Sequence, residues 1–471
     1  MNIHPTVKEA AAIFNRAGKQ VYLVGGAVRD LLRRGKAQDW DLATDARPEE
    51  VIALFSRSKT GHGKKGESSF VIPTGIKHGT VTLHYRDLKM EVTTFRSESG
   101  YSDGRRPDAV EFGVSIEVDL SRRDFTMNAA AYKLPAGPLV DIFDSRKDIK
   151  KRIIRCVGNP EERFSEDGLR PMRALRFASQ LGFSVDESLL AAIPGALPLS
   201  AMVAAERIRD ELDKIVRSEK PSTAFLLMEK TGLLKLLIPE LAACRAVEQG
   251  RANGGGHHRF DVLDHSLLAL DFAARQRAHP ALALAVLFHD IGKSVSAQAD
   301  EKGGWTFYGH EKESARLARD ILLRFRYPNG VIQRACRLIE GHMFSYDESW
   351  TDAALRRFII RVGEENLEDL YALRRADVYG MAGIEPSGNF LLPLMDRVEK
   401  ILSQKRALSL KDLAIAGKEL MEAGIPPGKY MGIILNELLE AVIEDPELNS
   451  SEKLLEIAGK ISRRYDFISS S

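Results

Sequence analysis

Apolar and polar positions follow two different periods along the chain. Over about the first 135 residues, period-2 segments alternate with period-3.6 segments, which predicts short strands mixed with helices. The segments 20–26 and 40–44 are predicted as buried strands, with a helix over Ala27–Arg34 between them. The segments 79–85 and 89–95 are predicted as consecutive strands joined by a turn. From about residue 160 onward the pattern is almost entirely helical.

Two polar, glycine-containing segments interrupt these patterns. Residues 96–108, RSESGYSDGRRPD, predict a mobile loop, because glycine and polar residues favour irregular backbone. Residues 249–259 hold three successive glycines and predict a linker or exposed loop. The second segment therefore marks a candidate boundary within the helical part of the chain.

The composition limits the number of domains and the class of protein, but it indicates no specific chemistry. A length of 471 residues predicts about three domains, and 44% hydrophobic with 28% charged residues is typical of a globular protein. No apolar run approaches the roughly 18 residues of a membrane span. Cys156, Cys244 and Cys336 are far apart and form neither a zinc motif nor a disulfide framework, which predicts a reducing, cytoplasmic location. A net charge of +2 does not exclude a nucleic-acid partner.

The run GGAVRDLLRRGKAQDWD, from Gly25 to Asp41, holds the first candidate site. Asp39 and Asp41 are two residues apart, so on a strand they would share a face. Two adjacent carboxylates repel each other unless a cation lies between them, which predicts a divalent metal site. The turn at Gly25 and Gly26 lets backbone N–H groups approach a phosphate, and Arg29 adds a fixed cation. Together these residues indicate phosphoryl or nucleotidyl transfer.

An Asp-x-Asp pair by itself fits a solvated loop equally well. Here it follows the GGAVRD run closely, and a further acidic strand residue, Glu91, lies in KMEVTTF. Glu91 is a candidate third carboxylate at the metal or a partner for Arg29. The joint pattern favours a catalytic site.

A second motif is Arg122-Arg123-Asp124 in LSRRDFTMNAAAYKL. The simple interpretation is a helix N-terminus with a solvated basic pair and Asp124 as its N-cap. The functional interpretation brings two guanidinium groups close to a triphosphate or a sugar. Asp124 would then hold one arginine, with Asn128 on the same helical face.

A third motif lies in residues 162–183, ERFSEDGLRPMRALRFASQLGF, which are predicted as one helix. Asp167, Arg170, Arg173 and Arg176 recur every three residues along one side of it, a pattern that a solvated basic face would also give. Cytosine and adenine both carry an amino donor beside a ring-nitrogen acceptor. Asp167 can accept from that amino group while Arg170 donates to the ring nitrogen, which would select C and A without a template. Arg173 and Arg176 would reach phosphates or orient Asp167.

Four ordered motifs carry a family resemblance. The first 245 residues or so resemble the class II tRNA nucleotidyltransferase and bacterial poly(A) polymerase family, within the polymerase β-like superfamily. The matching segments are LVGGAVRDLLRRGKAQDWDLAT, HGTVTLHY…EVTTFRSESGYSDGRRP, DLSRRDFTMNA and RFSEDGLRPMRALRFASQLGF. The resemblance implies a small mixed-sheet head followed by helical neck, body and tail, and synthesis of the 3′-terminal CCA of tRNA from CTP and ATP.

The same resemblance implies roles for single residues. Gly26 and Arg29 would contact the incoming nucleotide, and Asp39 and Asp41 would hold Mg²⁺. The segment 204–214, AERIRDELDKI, is similar to the family's later helix motif, which supports the neck. The nucleotide pocket would be lined by Arg123, Asp167, Arg170, Arg173 and Arg176.

A fourth group of residues lies further along the chain. His265, His289-Asp290 and Asp377 follow the ligand order of an HD-type phosphohydrolase, an all-helical metal fold, and the resemblance covers about residues 255–380. His310 and His342, with Lys293 nearby, are candidates for a second divalent metal and a phosphate. Such a domain could be an active hydrolase or a retained scaffold. The segment 413–450 resembles the C-terminal module of bacterial nucleotidyltransferases that carry an HD unit.

These observations predict an α+β protein with four parts. They are a nucleotidyltransferase head with a small mixed β-sheet (1–148), a helical neck with the nucleotide-selecting helix (149–248), an HD domain (255–380) and a helical tail (385–471).

The predicted function is template-independent addition of CMP and AMP to the tRNA 3′ end, with the acceptor arm held through its phosphates. An A-adding enzyme shares every motif. A CC-adding enzyme is expected to have a shortened loop, whereas 96–108 is full length and keeps Arg96, Arg105 and Arg106. A poly(A) polymerase is expected to have a long basic tail, unlike IAGKISRRYDFISSS. An HD phosphohydrolase acting on RNA ends is the alternative from another class, and a pure RNA-binding module leaves Asp39 and Asp41 unexplained. The oligomeric state stays open.

Overall fold

The computed structural model describes residues 1–37, 39–56, 69–101, 104, 107–247, 260–299, 304–404 and 409–466. It forms two compact units, residues 1–243 with 324–326, and residues 244–323 with 327–471. The predicted linker 249–259, and Arg105 and Arg106, lie outside the described residues. The finer division into head, neck, HD domain and tail stays a prediction.

The first unit begins with a mixed β-sheet flanked by helices. Its strands, in chain order, are β1 (Val21–Val24), β2 (Asp41–Thr44), β3 (Ser69–Gly75), β4 (Thr80–Tyr85), β5 (Leu88–Thr94), β6 (Arg96–Ser99), β7 (Ala109–Phe112), β8 (Ala131–Lys133) and β9 (Leu139–Val140). The helices of this part are α1 (Pro5–Arg16), α2 (Gly26–Arg34), α3 (Pro48–Ser56), α4 (Ile116–Ser121) and α5 (Ser145–Lys151).

Seven strands form one sheet in the order β3-β4-β5-β2-β1-β8-β9. β2 pairs parallel to β5, with Asp41 opposite Glu91, and antiparallel to β1. The buried faces of α1, α2 and α3 supply Phe14, Val28 and Phe55 to a core with Leu42 and Met90 of the sheet. A sheet covered by helices in this way holds the first residue of β2, Asp41, in a fixed position, as a functional site requires.

The segment 96–108 is more ordered at its ends than the sequence predicts. Arg96–Ser99 forms β6 and pairs antiparallel with β7. Ion pairs stabilise this hairpin, because Arg96 and Arg122 both contact Glu98, and Arg122 also contacts Asp119. Expecting a mobile loop over the whole segment was therefore wrong for its first four residues.

The rest of the first unit is helical apart from a two-stranded parallel pair, β10 (Ile153–Ile154) and β11 (Ser184–Val185). Its helices are α6 (Pro160–Glu166), α7 (Arg170–Leu181), α8 (Glu187–Ser200), α9 (Ala205–Val216), α10 (Pro221–Lys230), α11 (Leu233–Leu237) and α12 (Pro239–Ala242).

The single helix predicted over 162–183 is broken at residues 167–169. Asp167 has extended backbone angles at the end of α6, and α7 starts at Arg170 with Pro171 in its first turn, a position that proline favours. Gly168 lies in this break against the backbone of Leu199, where an alanine methyl would lie 2.5 Å from the Leu199 carbonyl oxygen. Asp167 is thus outside the helix that carries Arg170, Arg173 and Arg176.

The second unit is helical with one small hairpin, β12 (Gln298–Ala299) and β13 (Trp305–Thr306). Its helices are α13 (Val262–Arg275), α14 (Pro280–Phe288), α15 (Lys293–Ser296), α16 (His310–Arg324), α17 (Asn329–Gly341), α18 (Asp352–Val362), α19 (Leu367–Ala382), α20 (Leu392–Ser403), α21 (Gly417–Glu422), α22 (Lys429–Glu444) and α23 (Ser451–Asp466).

Helices α13, α14 and α19 pack together in this second unit, with α17 against α14. A separate apolar cluster, which includes Leu420, Leu438 and Leu454, joins the last three helices. The predicted α+β class, a mixed-sheet head followed by helices, is confirmed. None of the helices that the structure describes is both long and apolar enough to cross a lipid bilayer.

Candidate functional sites

Asp41 is the centre of the first site. It opens β2, and burial together with the nearby carboxylates of Glu91 and Asp39 raises its pKa to about 6, although Arg123 and Arg29 oppose the shift. Asp39 precedes the strand and its side chain is exposed, so the strand alternation used to orient it does not apply. The structure nevertheless brings three carboxylates into one electrostatic neighbourhood, where a cation would relieve their repulsion.

Gly25 permits a close approach at this site. Its φ of +66° lies in the left-handed region that glycine favours, at the start of α2. An alanine methyl there would lie 3.2 Å from Arg123 Nη1 and 3.5 Å from Asp41 Oδ2. At Gly26 the methyl would lie 3.4 Å from Arg29 Nη2. The glycine pair is therefore packed directly against the acid and two of the predicted arginines.

Arg123 has spare capacity for an anion. Its Nη2 pairs with Asp119 Oδ2 at 3.2 Å, while its buried Nε has no hydrogen-bond partner among the described residues. Asp119 is fully buried, and although burial alone would raise its pKa, Arg122 and Arg123 lower it below its ordinary value. Asp119 is thus an ionised anchor for both arginines, and the sequence interpretation did not identify it.

Arg29 has two side-chain partners that the sequence interpretation did not consider. Its Nη1 donates to Asn128 Oδ1 at 2.8 Å, and its Nε donates to Asp30 Oδ1 at 2.9 Å. It is 8% exposed. No described contact joins Arg29 to Glu91, so the alternative of Glu91 as its ion-pair partner is not supported.

The motif at 122–124 does not start a helix. α4 ends at Ser121, and Asp124 instead accepts from Arg173, with Nη2–Oδ2 at 2.6 Å. Burial alone would raise the pKa of Asp124, but Arg173 lowers it below its ordinary value. Asp124 does hold an arginine, as predicted, but that arginine comes from α7 instead of its own motif.

The predicted base-reading residues are each held by another side chain. Asp167 accepts two hydrogen bonds from Arg207 on α9, Nη1–Oδ1 at 3.0 Å and Nη2–Oδ2 at 2.7 Å. Arg170 donates to Glu166 and to the carbonyl oxygen of Arg163. No hydrogen bond joins the side chains of Asp167 and Arg170 in the described part of the chain.

Among the described residues, no hydrogen bond or ion pair joins Arg173 or Arg176 to Asp167. Arg176 donates to Glu211 of α9 and to Gln180, and Arg173 lies 3.7 Å from Glu211. Glu211, only 2% exposed, therefore neutralises both arginines. Arg207 and Glu211 lie in the segment 204–214, which the sequence interpretation linked only to support of the neck.

A second site lies wholly in the second unit. His265, His289, Asp290 and Asp377 offer one ligand atom each within 4.8 Å of one another, and all four side chains are buried. Asp290 also groups with His310 and His342 in the same way. The structure thus brings together the two tiers of residues that the sequence predicted.

The spacing in this group fits direct coordination. His265 Nε2 lies 3.0 Å from His289 Nε2 and 3.3 Å from a carboxylate oxygen of both Asp290 and Asp377. Bonds of about 2.0–2.2 Å from one ion to imidazole and carboxylate ligands hold neighbouring ligand atoms about 3.0–3.5 Å apart. The donor set therefore fits a divalent transition metal.

The imidazole rings are oriented for coordination. Nδ1 of His289, His310 and His342 lies 2.6–2.8 Å from the carbonyl oxygen three residues earlier, so Nδ1–H donates and Nε2 keeps its lone pair. The Nε2 atoms of His310 and His342 are buried with no hydrogen-bond partner in the described structure, at 3.2 and 3.6 Å from Asp290 Oδ1.

Two cations border this cluster. Lys293 Nζ lies 2.6 Å from Asp290 Oδ2, and Arg374 Nη1 lies 2.6 Å from Asp377 Oδ2. Burial alone would raise the pKa of Asp290, but His289 and Lys293 hold it well below its ordinary value. Both aspartates are therefore kept ionised, the state in which carboxylates bind metals.

Three family models match the chain in order. Residues 21–155 match the Poly A polymerase head domain, residues 182–245 a probable RNA and SrmB binding site of polymerase A, and residues 299–458 a putative domain 2 of tRNA nucleotidyltransferase. The first contains Asp41 together with Arg29 and Arg123.

Relatives and a solved structure match almost the whole length. The chain is 31% identical to the CCA-adding enzyme of Limosilactobacillus reuteri over 97% of this chain and 99% of the relative, and 34% identical to that of Enterococcus faecalis over 96% of both. The crystal structure of the Bacillus stearothermophilus CCA-adding enzyme in complex with CTP aligns with a TM-score of 0.71 at 28% identity, over 98% of this chain and 99% of the other. The chain accordingly belongs to the CCA-adding enzymes, a family of tRNA nucleotidyltransferases.

Proposed function

We propose that this chain adds CMP and AMP from CTP and ATP to the 3′ end of tRNA, with Asp39 and Asp41 as the acidic centre of the reaction. The observation that carries the proposal is the approach of Gly25, Asp41 and Arg123. It puts a carboxylate, a glycine turn and an arginine with an unpartnered Nε within reach of one triphosphate. The enzyme would act in the cytoplasm, where its free cysteines stay reduced.

Mg²⁺ is the cation that we propose at this centre, since a divalent metal is the cofactor class that the family implies. The residues fit it, because Asp41 has its pKa raised to about 6 by burial and by the neighbouring Glu91 and Asp39. Hard oxygen donors of this kind suit Mg²⁺. When bound, the ion would supply positive charge that lowers the pKa of the tRNA terminal hydroxyl and neutralises the leaving pyrophosphate.

We assign nucleotide contacts to Gly25, Gly26, Arg29 and Arg123 around the triphosphate. Asp167 would accept from the amino group of C or A, and Arg170 would donate to the adjacent ring nitrogen. Asp167 Oδ1 accepts from Arg207 and from the backbone N–H of Leu169, whereas Oδ2 accepts from Arg207 alone and keeps a lone pair for the amino group of the base. Arg207 can therefore orient the carboxylate during base recognition. Arg173 and Arg176 remain proposed members of this pocket.

The test uses three tRNA substrates, ending before CCA, after the first C, and after CC, each with CTP alone, ATP alone and both. A CCA-adding enzyme extends all three to the same length when both nucleotides are present. Incorporation of A only, and only onto the CC-ended tRNA, would instead indicate an A-adding enzyme. Long A tracts would indicate a poly(A) polymerase.

A variant pair tests the assigned centre. Asp41→Ala should abolish incorporation of both CMP and AMP, since the reaction loses a carboxylate at the metal. Asp87→Ala removes an exposed carboxylate in the turn between β4 and β5 of the same sheet and should keep wild-type rates. Equal activity of the two variants would refute the role of Asp41.

We also propose that residues 255–380 form an HD-type domain with a metal-dependent phosphohydrolase activity on RNA ends. The buried group of His265, His289, Asp290 and Asp377 supports it, with His310 and His342 as ligands of a second divalent metal. The double variant His289→Ala/Asp290→Ala should lose both the opening of 2′,3′-cyclic phosphate ends and the release of phosphate from 3′-phosphate ends, and it should keep CMP addition. Phosphate release at the wild-type rate by that variant would contradict the assignment.

A further inference from the structure

A basic pocket lies in the first unit between the C-terminal end of α2 and α5. Its volume is about 620 Å³. Five of the eight residues that line it are cations, and none of these lining residues is acidic. The cations are Arg33, Arg146, Lys147, Lys150 and Arg152.

Arg33 is fixed in this pocket. Its Nη2 donates to the carbonyl oxygen of Leu181 at 2.7 Å, and its guanidinium lies 5.4 Å from the ring centre of Phe183, which forms an apolar wall. Burial and the neighbouring Arg34 lower the pKa of Arg33, although Asp30 partly opposes the shift. The charged guanidinium would thus gain from an added anion.

Helix ends account for only part of this charge. Cations near a helix C-terminus interact favourably with its dipole, by about 0.3–1 kcal/mol each, which suits Arg33 at the end of α2 and Lys150 at the end of α5. Arg146 and Lys147 are in the first turn of α5, where a cation is unfavourable. Lys147 has Asp144 at 3.4 Å, whereas Arg146 has no ion pair among the described residues. Arg146 therefore needs another explanation, since neither a favourable helix end nor an ion pair accounts for its charge.

We infer that this pocket binds backbone phosphates of the tRNA while its 3′ end occupies the Asp41 centre, an inference that rests on the proposed function for the identity of the RNA. α2 connects the two places, since its N-cap Gly25 lies against Asp41 and Arg33 follows eight residues later, about 12 Å along the helix axis. RNA supplies closely spaced negative charges over such a distance.

An RNA backbone fits better than a small free anion. One phosphate needs two or three donors, whereas five cations line a pocket with room for several phosphate groups. Contacts of this kind position an RNA without reading its sequence, which suits an enzyme that accepts every tRNA. The family model for a probable RNA-binding site covers residues 182–245, which include Phe183 but none of the five cations.

The test measures tRNA binding as a function of NaCl concentration for the full-length protein. Arg146→Gln/Lys150→Gln removes two exposed cations of the pocket, and Lys8→Gln/Arg16→Gln removes two exposed cations of α1 in the same unit, outside the residues that match the family models. Each lost phosphate contact should reduce the slope of log K against log[salt] by about 0.7–0.9, so we expect a fall of about 1.5 for the pocket variant and no change for the control. The KM for tRNA should rise about tenfold for the pocket variant, while the KM for CTP should not rise.

Three results would overturn the inference. One is a wild-type salt slope for the pocket variant when it also melts at the wild-type temperature. Another is a reduced slope of the same size in both double variants. The third is binding of millimolar inorganic phosphate to the wild type but not to the pocket variant, without displacement of tRNA at constant ionic strength, which would indicate a small-anion site. Failure of the proposed function is distinguishable, because the wild type would then add no CMP to tRNA at all.

Discussion

Arg207 holds Asp167 by a two-point ion pair that crosses 40 positions of the chain, from α9 to the break between α6 and α7. The two contacts, at 3.0 and 2.7 Å, engage both carboxylate oxygens. Such a forked geometry fixes the direction of a carboxylate as well as its charge. The base reading that we propose for Asp167 needs that fixed direction, so Arg207 would be its positioning residue.

Arg207→Gln should weaken the choice between CTP and UTP. A charge-assisted hydrogen bond contributes about 1.5–3 kcal/mol, and its loss frees Asp167 to rotate, so we expect the ratio of CMP to UMP incorporation to fall about tenfold or more. Single-turnover incorporation onto tRNA lacking CCA, with each nucleotide separately, gives the ratio.

The control for this prediction is Arg217→Gln. Arg217 follows the same helix α9, is exposed, and donates to the carbonyl oxygen of Asp213. It should keep the wild-type ratio. If Arg207→Gln also keeps it, the orientation of Asp167 does not determine base choice.

Gly25→Ala should impair addition of both CMP and AMP. The methyl group would lie 3.2 Å from Arg123 Nη1, and the φ of +66° costs about 1–2 kcal/mol for a residue with a Cβ. Gly18→Ala is a matched control, because Gly18 has a φ of +74° but nothing within 4 Å of the added methyl. Both variants should lose similar stability in urea unfolding, whereas kcat/KM should fall at least tenfold only for Gly25→Ala. Similar kcat/KM values for the two variants would contradict a role for the close approach.

The sequence predicted the contents of both sites better than their internal contacts. Gly25, Asp41 and Arg123 were found because glycine turns and paired carboxylates are local signals that one motif displays. Their anchors were missed, because Asp119, Arg207 and Glu211 lie on other elements and a single sequence does not show which elements meet. The alternation of acidic residues and arginines in the segment that holds Arg207 and Glu211 was the available signal, but the same pattern is found on any solvent-exposed helix.

Helical periodicity also gave one wrong prediction, at the boundary between α6 and α7. The spacing of Arg170, Arg173 and Arg176 predicted one helix that included Asp167, whereas α6 ends at Glu166 and α7 starts at Arg170. Gly168 in this break lies against the backbone of Leu199, a contact between distant positions that periodicity does not show. By contrast, the order of His265, His289 and Asp377 predicted a cluster correctly, since these ligand types have few other reasons to be buried together.

The pair of Asp124 and Arg173 should make stability depend on pH. The folded pKa of Asp124 lies below its ordinary value of 3.8. The folded state then binds fewer protons than the unfolded state as the pH falls, so the pair's contribution is complete above about pH 5 and is lost as the pH drops through the folded pKa. Breaking a largely buried pair costs about 3 kcal/mol. Urea unfolding of the wild type and Asp124→Asn should differ by this amount at pH 7 and by less below pH 4.

Asp144→Asn is the control for that measurement. It removes an exposed pair with Lys147, whose two side chains are 66% and 55% accessible. The difference from wild type should stay below about 0.5 kcal/mol at every pH. A difference for Asp124→Asn that does not change between pH 7 and pH 3 would mean that Asp124 has the same pKa in the folded and unfolded states.

Asp377→Asn should reduce metal binding in the second unit. Asp377 Oδ1 lies 3.3 Å from His265 Nε2 and 3.5 Å from His289 Nε2, so the amide removes one anionic ligand from the group. Asp369→Asn changes the same helix, where Asp369 contacts His279 and Arg334 outside the group. After EDTA treatment and titration with Mn²⁺, calorimetry should show an affinity at least about tenfold weaker for Asp377→Asn and unchanged for Asp369→Asn. Equal Mn²⁺ affinity for both would mean that Asp377 is not a ligand of the ion. CMP addition should be the same in both variants, because the Asp41 centre is built from residues of the first unit alone.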